Sequence, residues 1–530
     1  MLKKIKETED RRNNLSKGGG EKEVNRQHQQ GKLTARERLE KLFDEGTFQE
    51  IDLWIRPIKT GFDIDEQDLP GDAVITGFGK IHGRPVCAYI HDFTVVGGTM
   101  SSGQDHKVTR LMEMAMKAGL PYIGIVDSGG VRIHDLFGRP AFRPIQAGRL
   151  GIGGTTGIFA SPSISSGVVP QITAMLGPCY AGSAYSPTLA DFLIMRRGTS
   201  FMSVASPQLL KTVTYEDVTQ DEIGSAELHA TVTGTADYLA ETDEEAIEFC
   251  RQLVDYLPLN NSQTPPVINT GDNPNRRDDD LLEIVPADFS QHYDMHDVVS
   301  RIVDNGQFLE LQRLFAKSII IGFARLNGQT VGVIANNPAE DNGVLNINTC
   351  DKEARFIRFC DCFNIPLIFL VDTPGFLSSA EEEMSRDGLI RTAARPVFAI
   401  CEASVPMIVV YVGRCFGTAR LIMGTTRMGI DVTYSWPSAR VARMNPEEVV
   451  EIIYKDEISL STNPNNVRRD RLAQLLKDYI RYPYHAAEQL MVNDIIDPRD
   501  TRPVLIRTLE ALANKQPGMM LWKKHNLVPR

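Results

Sequence analysis

Val169-Pro170-Gln171-Ile172-Thr173-Ala174-Met175-Leu176-Gly177-Pro178-Cys179-Tyr180-Ala181-Gly182-Ser183 reads as an apolar strand, a turn of small residues and a helix start. Ser186-Pro187 supplies an N-cap and a first helical residue, so the helix is expected to begin there. Small residues at such a turn leave backbone N–H groups bare at the positive end of a helix. Those groups can hold an oxygen that is gaining negative charge. The stretch recurs as Val405-Pro406 through Gly413-Arg414-Cys415-Phe416-Gly417-Thr418-Ala419, at a constant offset of 236 (406 − 170, 413 − 177, 415 − 179). Two such turns in register predict a duplicated fold with two anion-stabilising sites. Chemistry of this kind needs no side-chain nucleophile and no metal.

The elements that position the turns repeat as well. Gly77 to Arg84 predicts a hairpin around His82-Gly83, and Gly322 to Gln329 repeats it around Asn327-Gly328 at an offset of 245 (322 − 77). The same offset links Lys107 to Lys352, Arg110 to Arg355, Asp127 to Asp372 and Gly130 to Gly375. Asp44-Glu45-Gly46 recurs as Asp304-Asn305-Gly306. Each repeat reads hairpin, Gly-rich loop, helix, apolar strand (Tyr122 to Val126; Leu367 to Val371) and loop (Asp127 to Gly130; Asp372 to Gly375), then the strand–turn–helix. This alternation predicts an α/β layered fold. The segment from Gly148 to Ser166 is expected to be a loop that holds the first repeat's extra residues. Lys107 and Lys352, one helical turn from Arg110 and Arg355, are expected on solvated faces or in contact with the phosphates of a ligand.

A chain of 530 residues predicts two domains, divided here as 1–260 and 261–530 with a Pro-rich, charged linker over 258–280. A net charge of −11 argues against a general nucleic-acid binder. No apolar run approaches a membrane span, and the polar, partly acidic first thirty residues resemble no targeting signal, so a cytoplasmic protein is expected. The eight cysteines lie in apolar segments without C-x-x-C spacing and are expected to be buried free thiols.

Several motifs carry a family resemblance. They include Gly31-Lys32-Leu33-Thr34-Ala35-Arg36-Glu37-Arg38, Asp92-Phe93-Thr94-Val95, Asp127-Ser128-Gly129-Gly130 with Arg132-Ile133, and Tyr185-Ser186-Pro187. Others are Cys362-Phe363-Asn364-Ile365-Pro366, Pro374-Gly375-Phe376-Leu377 and Tyr434-Ser435-Trp436-Pro437. From Gly31 to about Pro503 the chain resembles the carboxyltransferase (β) subunits of biotin-dependent acyl-CoA carboxylases, the propionyl-CoA carboxylases among them.

The resemblance implies two tandem crotonase-like (ClpP/crotonase superfamily) domains from an internal duplication, the first taking the acyl-CoA and the second carboxybiotin. It implies transfer of CO2 from carboxybiotin to the α-carbon of an acyl-CoA. The active site is expected between the first half of one protomer and the second half of another, in a homo-hexamer built as a trimer of dimers. Registration on the family motifs puts the enolate-holding amides at Ala181 and Gly182 and the biotin-side amides at Thr418 and Ala419. Gly97, Gly98, Ser128, Gly129, Gly130, Arg132 and Tyr185 are implied on the CoA side, and Gly343, Gly375, Phe376 and Gly417 on the biotin side. The chain departs from the family at Ala181, where Gly is usual, and at Thr418, Arg420 and Leu421, the last two of which fall where relatives shape acyl specificity. Arg414, Arg420 and Arg427 suit an acyl group that carries its own carboxylate. No metal is expected on this chain. Without an ATP-binding signature or carrier lysine of its own, it is expected to work with biotin carboxylase and biotin carboxyl carrier subunits. The alternatives are a biotin-dependent decarboxylase subunit coupled to a sodium pump, a non-catalytic CoA-thioester-binding scaffold, and a biotin-independent decarboxylase.

Overall fold

The computed structural model describes residues 1–57, 59–137, 157–180, 182–286, 291–426, 428–478 and 482–516. The chain divides into two compact units, Met1–Gln263 and Thr264–Arg530.

In the first unit the strands are β1 (Gln49–Ile51), β2 (Val74–Ile81), β3 (Arg84–His91), β4 (Tyr122–Val126), β5 (Gln171–Met175), β6 (Pro178–Tyr180), β7 (Phe192–Arg196), β8 (Phe201–Ser203) and β9 (Tyr238–Ala240). The main sheet runs β1-β2-β3-β4-β5-β7-β9, while β6 and β8 pair separately. β1, β2 and β3 are antiparallel, and the sheet is parallel from β3 onwards.

The second unit contains β10 (Phe308–Leu311), β11 (Ile319–Leu326), β12 (Gln329–Asn336), β13 (Leu367–Thr373), β14 (Met407–Phe416), β15 (Val432–Ser435), β16 (Arg440–Ala442) and β17 (Asp494–Ile495). Its order is β10-β11-β12-β13-β14-β15-β17, with β16 also paired to β14 and the same change from antiparallel to parallel at β12. Both units are therefore α/β with mixed sheets. β4 and β13 bury every residue, which is why their sequences are unbroken apolar runs rather than alternating ones.

The short repeats have physical reasons. The β2–β3 turn places His82 and Gly83 at φ 48° and 76°, and the β11–β12 turn places Asn327 and Gly328 at 52° and 79°. Each turn presents two bare N–H groups. Asp44 accepts those of His82 (3.0 Å) and Gly83 (2.8 Å), and Asp304 accepts those of Asn327 (3.0 Å) and Gly328 (2.7 Å). The Asp-x-Gly repeat is thus a cap for the hairpin repeat.

Helices Ser102–Ala118 and Ile347–Cys362 pack on their sheets behind the caps Ser101 and Asn346, which accept from Gln104 N (3.0 Å) and Thr349 N (2.9 Å). Lys107 and Lys352, on these helices, are neither on solvated faces nor open to a phosphate. Both are buried, and their ammonium groups donate to backbone carbonyls that face inward. Lys107 reaches Gly71 O and Val74 O, and Lys352 reaches Gln312 O (3.0 Å), Phe315 O (2.8 Å) and Ile319 O (2.8 Å).

Two further expectations are corrected. Gly157–Ser165 is a helix, anchored where Asp105 accepts the N–H of Ile158 (3.1 Å), while 138–156 lies outside the described residues. Cys362 and Cys401 are exposed, whereas the other six cysteines are buried. Among the described residues no helix is long and apolar enough to cross a membrane.

Candidate active site

Asp127 directly follows β4 and Asp372 is the last but one residue of β13, and each is fully buried. Asp127 takes Lys32 (2.8 Å), Arg38 (2.9 Å) and Gln27 (3.0 Å) from the N-terminal segment. Burial alone would raise its pKa, but the charges of Arg38 and Lys32 outweigh that and hold the carboxyl below its usual range. Asp372 takes the backbone N–H (3.0 Å) and Nε (2.7 Å) of Arg414, and the hydroxyl of Tyr293 (2.9 Å). Gly177 and Gly413 are required beside them, because a Cβ at either would lie inside 3.0 Å of the carboxylate. Asp372 therefore ties β13 to the end of β14, while Asp127 ties the end of β4 to the N-terminal segment. Arg414 also reaches Asn342 Oδ1 (2.8 Å), so this guanidinium is spent inside the fold and is not a substrate ligand.

The Gly-rich loops close on these strand ends in matching fashion. Gly98 and Gly343 have φ of 61° and 72°, and a Cβ on either would clash with the carbonyl oxygen of Asp127 or Asp372. Met100 N donates to Gly130 O (2.9 Å) and Arg132 N to Met100 O (2.7 Å). At the same 245-residue offset, Leu345 N donates to Gly375 O (2.9 Å) and Leu377 N to Leu345 O (2.7 Å). The Ser128 and Thr373 hydroxyls accept Gly130 N and Gly375 N, each at 3.2 Å. Gly129 N reaches Gly97 O at 2.8 Å. The structure thus brings together Gly97, Gly98, Ser128, Gly129, Gly130 and Arg132 in one unit, and Gly343, Gly375 and Phe376 in the other, where Phe376 bridges Leu345. Arg132 is buried, its guanidinium held by Asp72 (2.7 Å), Thr99 Oγ1 (3.2 Å) and Thr99 O (3.1 Å). Its side chain braces the loop.

The first turn leads into helix Gly182–Leu189, and Ala181 lies outside the described residues. Sequence placed the helix start at Ser186-Pro187, but it begins four residues earlier. Pro187 sits inside the helix and has no N–H for the carbonyl of Ser183. The thiol of Cys179 donates to that carbonyl instead (3.0 Å), which is why proline is tolerated there. Ser183 also clamps the turn, accepting from Tyr180 N (3.1 Å) and donating to Tyr180 O (2.7 Å). The α-carbon of Gly182 faces Val131, Phe159 and Met100, and half-exposed Tyr185 meets Phe159 edge-on at 6.1 Å.

Beneath this helix is a small cavity of about 20 Å³, room for about one water, lined by His91, Asp105, Ser183 and Ser186 among others. Burial pushes the Asp105 carboxyl up to about 7 and His91 down to about 4, and His91 Nδ1 is buried without a hydrogen-bond partner.

The second turn follows β14. Gly417 has φ 62° and gives its N–H to Ala442 O (3.3 Å). Thr418 and Ala419 come next and open the short helix Ala419–Ile422, whose first amides have no acceptor within the helix. Gly417, Thr418, Arg420 and Leu421 line a cavity of about 420 Å³ together with Thr425, Thr426, Met428, Arg443, Gln489 and Met491. Sequence reasoning missed Arg443 and Gln489, which arrive from distant chain segments that carry no local motif. Arg427 lies outside the described residues. Among the described residues no group of three or more His, Cys, Asp or Glu could hold a metal.

Comparison with known proteins gives a consistent result. The sequence profile of the Carboxyl transferase domain matches residues 26–528. The propionyl-CoA carboxylase carboxyltransferase subunit of Haloferax mediterranei is 42% identical over 529 residues, covering 100% of this chain and 99% of that one. The methylmalonyl-CoA decarboxylase subunit alpha of Veillonella parvula is 40% identical, covering 97% of this chain and 96% of its own. A crystal structure of transcarboxylase 12S, described as a hexamer assembly with methylmalonyl-coenzyme A and methylmalonic acid bound, superposes with a TM-score of 0.93. It is 38% identical and covers 100% of this chain and 98% of that chain.

Proposed function

Since this chain belongs to the carboxyl transferase domain family and is a carboxyltransferase of the acyl-CoA carboxylase type, we propose that it exchanges a carboxyl group between biotin on a partner carrier protein and the α-carbon of an acyl-CoA. Propionyl-CoA and methylmalonyl-CoA define the substrate class, after the substrates named for its relatives. The fold is read as two crotonase-like domains from a duplication, the acyl-CoA on unit Met1–Gln263 and biotin on unit Thr264–Arg530. Biotin carboxylase and carrier subunits complete the reaction, and the assembly is a homo-hexamer in the cytoplasm, like the hexameric 12S core.

One observation supports this above the others: three hydrogen bonds of the loop that follows β4, Met100 N to Gly130 O, Arg132 N to Met100 O and Gly130 N to Ser128 Oγ, recur 245 residues later in the loop that follows β13. Transfer between two carriers puts negative charge on two oxygens in turn, so a pair of equivalent preorganised turns is the device it needs. In the first unit, the amides at Ala181 and Gly182 hold the thioester oxygen as the α-carbon loses its proton or its carboxylate and becomes an enolate. Ser183 and Cys179 brace that turn. When bound, biotin would supply a ureido nitrogen for the carboxyl group and a ureido carbonyl oxygen for the charge that the second turn would hold. Fit to that group rests on the 420 Å³ cavity beside Gly417, which is large and rich in hydrogen-bond donors. There Thr418 and Ala419 would present their amides, with Gly375 and Phe376 on the facing loop. Relatives named as carboxylases and as decarboxylases resemble the chain about equally, and the same two turns serve both directions.

Gly417→Ala tests the assignment. The site for a Cβ is open, so the substitution acts through the positive φ alone, at about 1 kcal/mol. The apparent KM for free biotin should rise while calorimetric acyl-CoA affinity stays within twofold. An equal loss of acyl-CoA binding would defeat the placement of biotin at the second turn.

A further inference from the structure

The first unit buries a group of charges that its ion pairs leave unbalanced. Asp127 and Asp243 supply two carboxylates, and Lys32, Arg38 and Arg196 supply three cations. Lys32 Nζ lies 2.7 and 2.8 Å from the two oxygens of Asp127. Arg38 bridges Asp127 (2.9 Å) and Asp243 (2.8 Å), and Arg196 meets Asp243 (2.6 Å). No side chain of the five is more than 10% exposed, so water screens the excess charge poorly. The neighbouring titratable groups do not even the count. His91, pushed down to about 4 by burial, is neutral. Asp92 is pushed up by burial, and its carboxylate is taken by the N–H and hydroxyl of Thr94. Arg38 Nη2 is buried without a hydrogen-bond partner.

The group adjoins the chain that leads into the first turn. Gly177 follows β5, and a Cβ on it would lie 1.8 Å from Asp127 Oδ1 and 3.1 Å from Lys32 Nζ. Ser128, next to Asp127, donates its N–H to Pro178 O (3.0 Å). In the second unit, Asp372 meets a single cation, Arg414, and the neutral hydroxyl of Tyr293. The extra cation thus belongs to the first turn alone. A buried charge without a counter-charge is costly, and a negative charge that forms beside it only during the reaction repays that cost in the transition state. A thioester α-carbon is a weaker acid than a ureido nitrogen, so the enolate is the harder of the two anions to form. We infer that the excess positive charge of this buried group stabilises the enolate at the first turn through its field, without touching the substrate, and that Lys32, beside Gly177, contributes most. This rests on the reading of the first unit as the acyl-CoA side.

The probe is acetoacetyl-CoA, whose enolate spreads its charge onto the thioester oxygen and has its own ultraviolet band. Titrated with pH on the full chain, the bound thioester should ionise at a lower pH than the free one. Lys32→Met should raise that bound ionisation by about one pH unit, a tenfold change. Arg196→Met, which removes a cation paired only to Asp243, should raise it by less, and Lys32→Arg should restore it. Calorimetric affinity for butyryl-CoA, which stays neutral, should stay within twofold in all three, a split that a merely structural role would not give. Unchanged ionisation in Lys32→Met with butyryl-CoA still bound overturns the inference. Should Lys32→Met fail to fold, Arg196→Met decides it by the same comparison. A native chain that binds butyryl-CoA but leaves the ionisation of acetoacetyl-CoA unshifted defeats the inference alone. A native chain that binds neither thioester defeats the functional reading, and the inference falls with it.

Discussion

Asp105 makes a prediction whose size can be worked out. Its carboxyl sits under helix Gly182–Leu189, accepts the N–H of Ile158 at 3.1 Å, and is pushed by burial from 3.8 to about 7. No charged group offsets that burial. The titratable groups facing the same cavity are Tyr89 and His91 from β3, and helix Gly157–Ser165 contributes none. The folded protein therefore holds the proton more tightly than the unfolded chain does. Stability is full below about 4, falls as pH rises towards about 7, and is flat above that. A shift of about 3 units corresponds to about 4 kcal/mol. Asp105→Asn keeps an oxygen for Ile158 and removes the charge. At pH 8 it should be the more stable protein by about 4 kcal/mol, or about 8 °C in Tm for a unit of this size, and the advantage should vanish near pH 4. His91 titrates in an overlapping window with opposite sign, since its folded value is depressed to about 4, but both proteins carry it and it cancels in the difference. Thermal scans of the two proteins from pH 4 to 9 give that difference directly. Curves that stay parallel across the range would refute the reasoning.

Three other outcomes follow from the same geometry. Gly98→Ala should destabilise the first unit by ~3 kcal/mol or more, because its Cβ would meet a backbone oxygen. Gly97→Ala, with φ 62° but only Phe93 ring carbons at 4.0 Å, should cost about 1 kcal/mol, and urea unfolding of the pair measures the contrast. Lys107→Met should cost about 2 kcal/mol by unpairing two buried carbonyls while leaving calorimetric CoA affinity unchanged, and a large loss of CoA affinity would restore the phosphate role. Arg132→Ala should lower stability by ~3–5 kcal/mol by stranding buried Asp72, and a normal melting curve with a raised KM alone would show instead that Arg132 touches substrate.

Much of this site was legible in the chain because duplication leaves a register. Asp127 and Asp372 stand at one offset, each a buried carboxylate at the end of a central strand held by basic side chains, although those come from different segments. The hairpins were legible because two successive residues at positive φ leave few choices beyond His-Gly and Asn-Gly. What escaped depended on tertiary partners. Lys107 looks like an exposed cation in a helical pattern, and only the fold reveals the inward carbonyls that it neutralises. Pro187 reads as a first helical residue, and only the approach of the Cys179 thiol to Ser183 O makes an interior proline acceptable. Arg414 reads as an anion ligand until Asp372 is seen beside it. The Arg420 and Arg443 pairing spans segments with no periodic relation and could not be inferred from spacing.

The central claim is that two turns in one chain serve two carriers. The most direct measurement is the initial rate of propionyl-CoA formation from methylmalonyl-CoA, labelled with 13C in its free carboxylate, as free biotin is varied. A rate that rises with biotin and saturates, with the label leaving the thioester in step, is the predicted result. A rate that is the same with and without biotin would contradict the account, because the second turn would then have no part in the reaction.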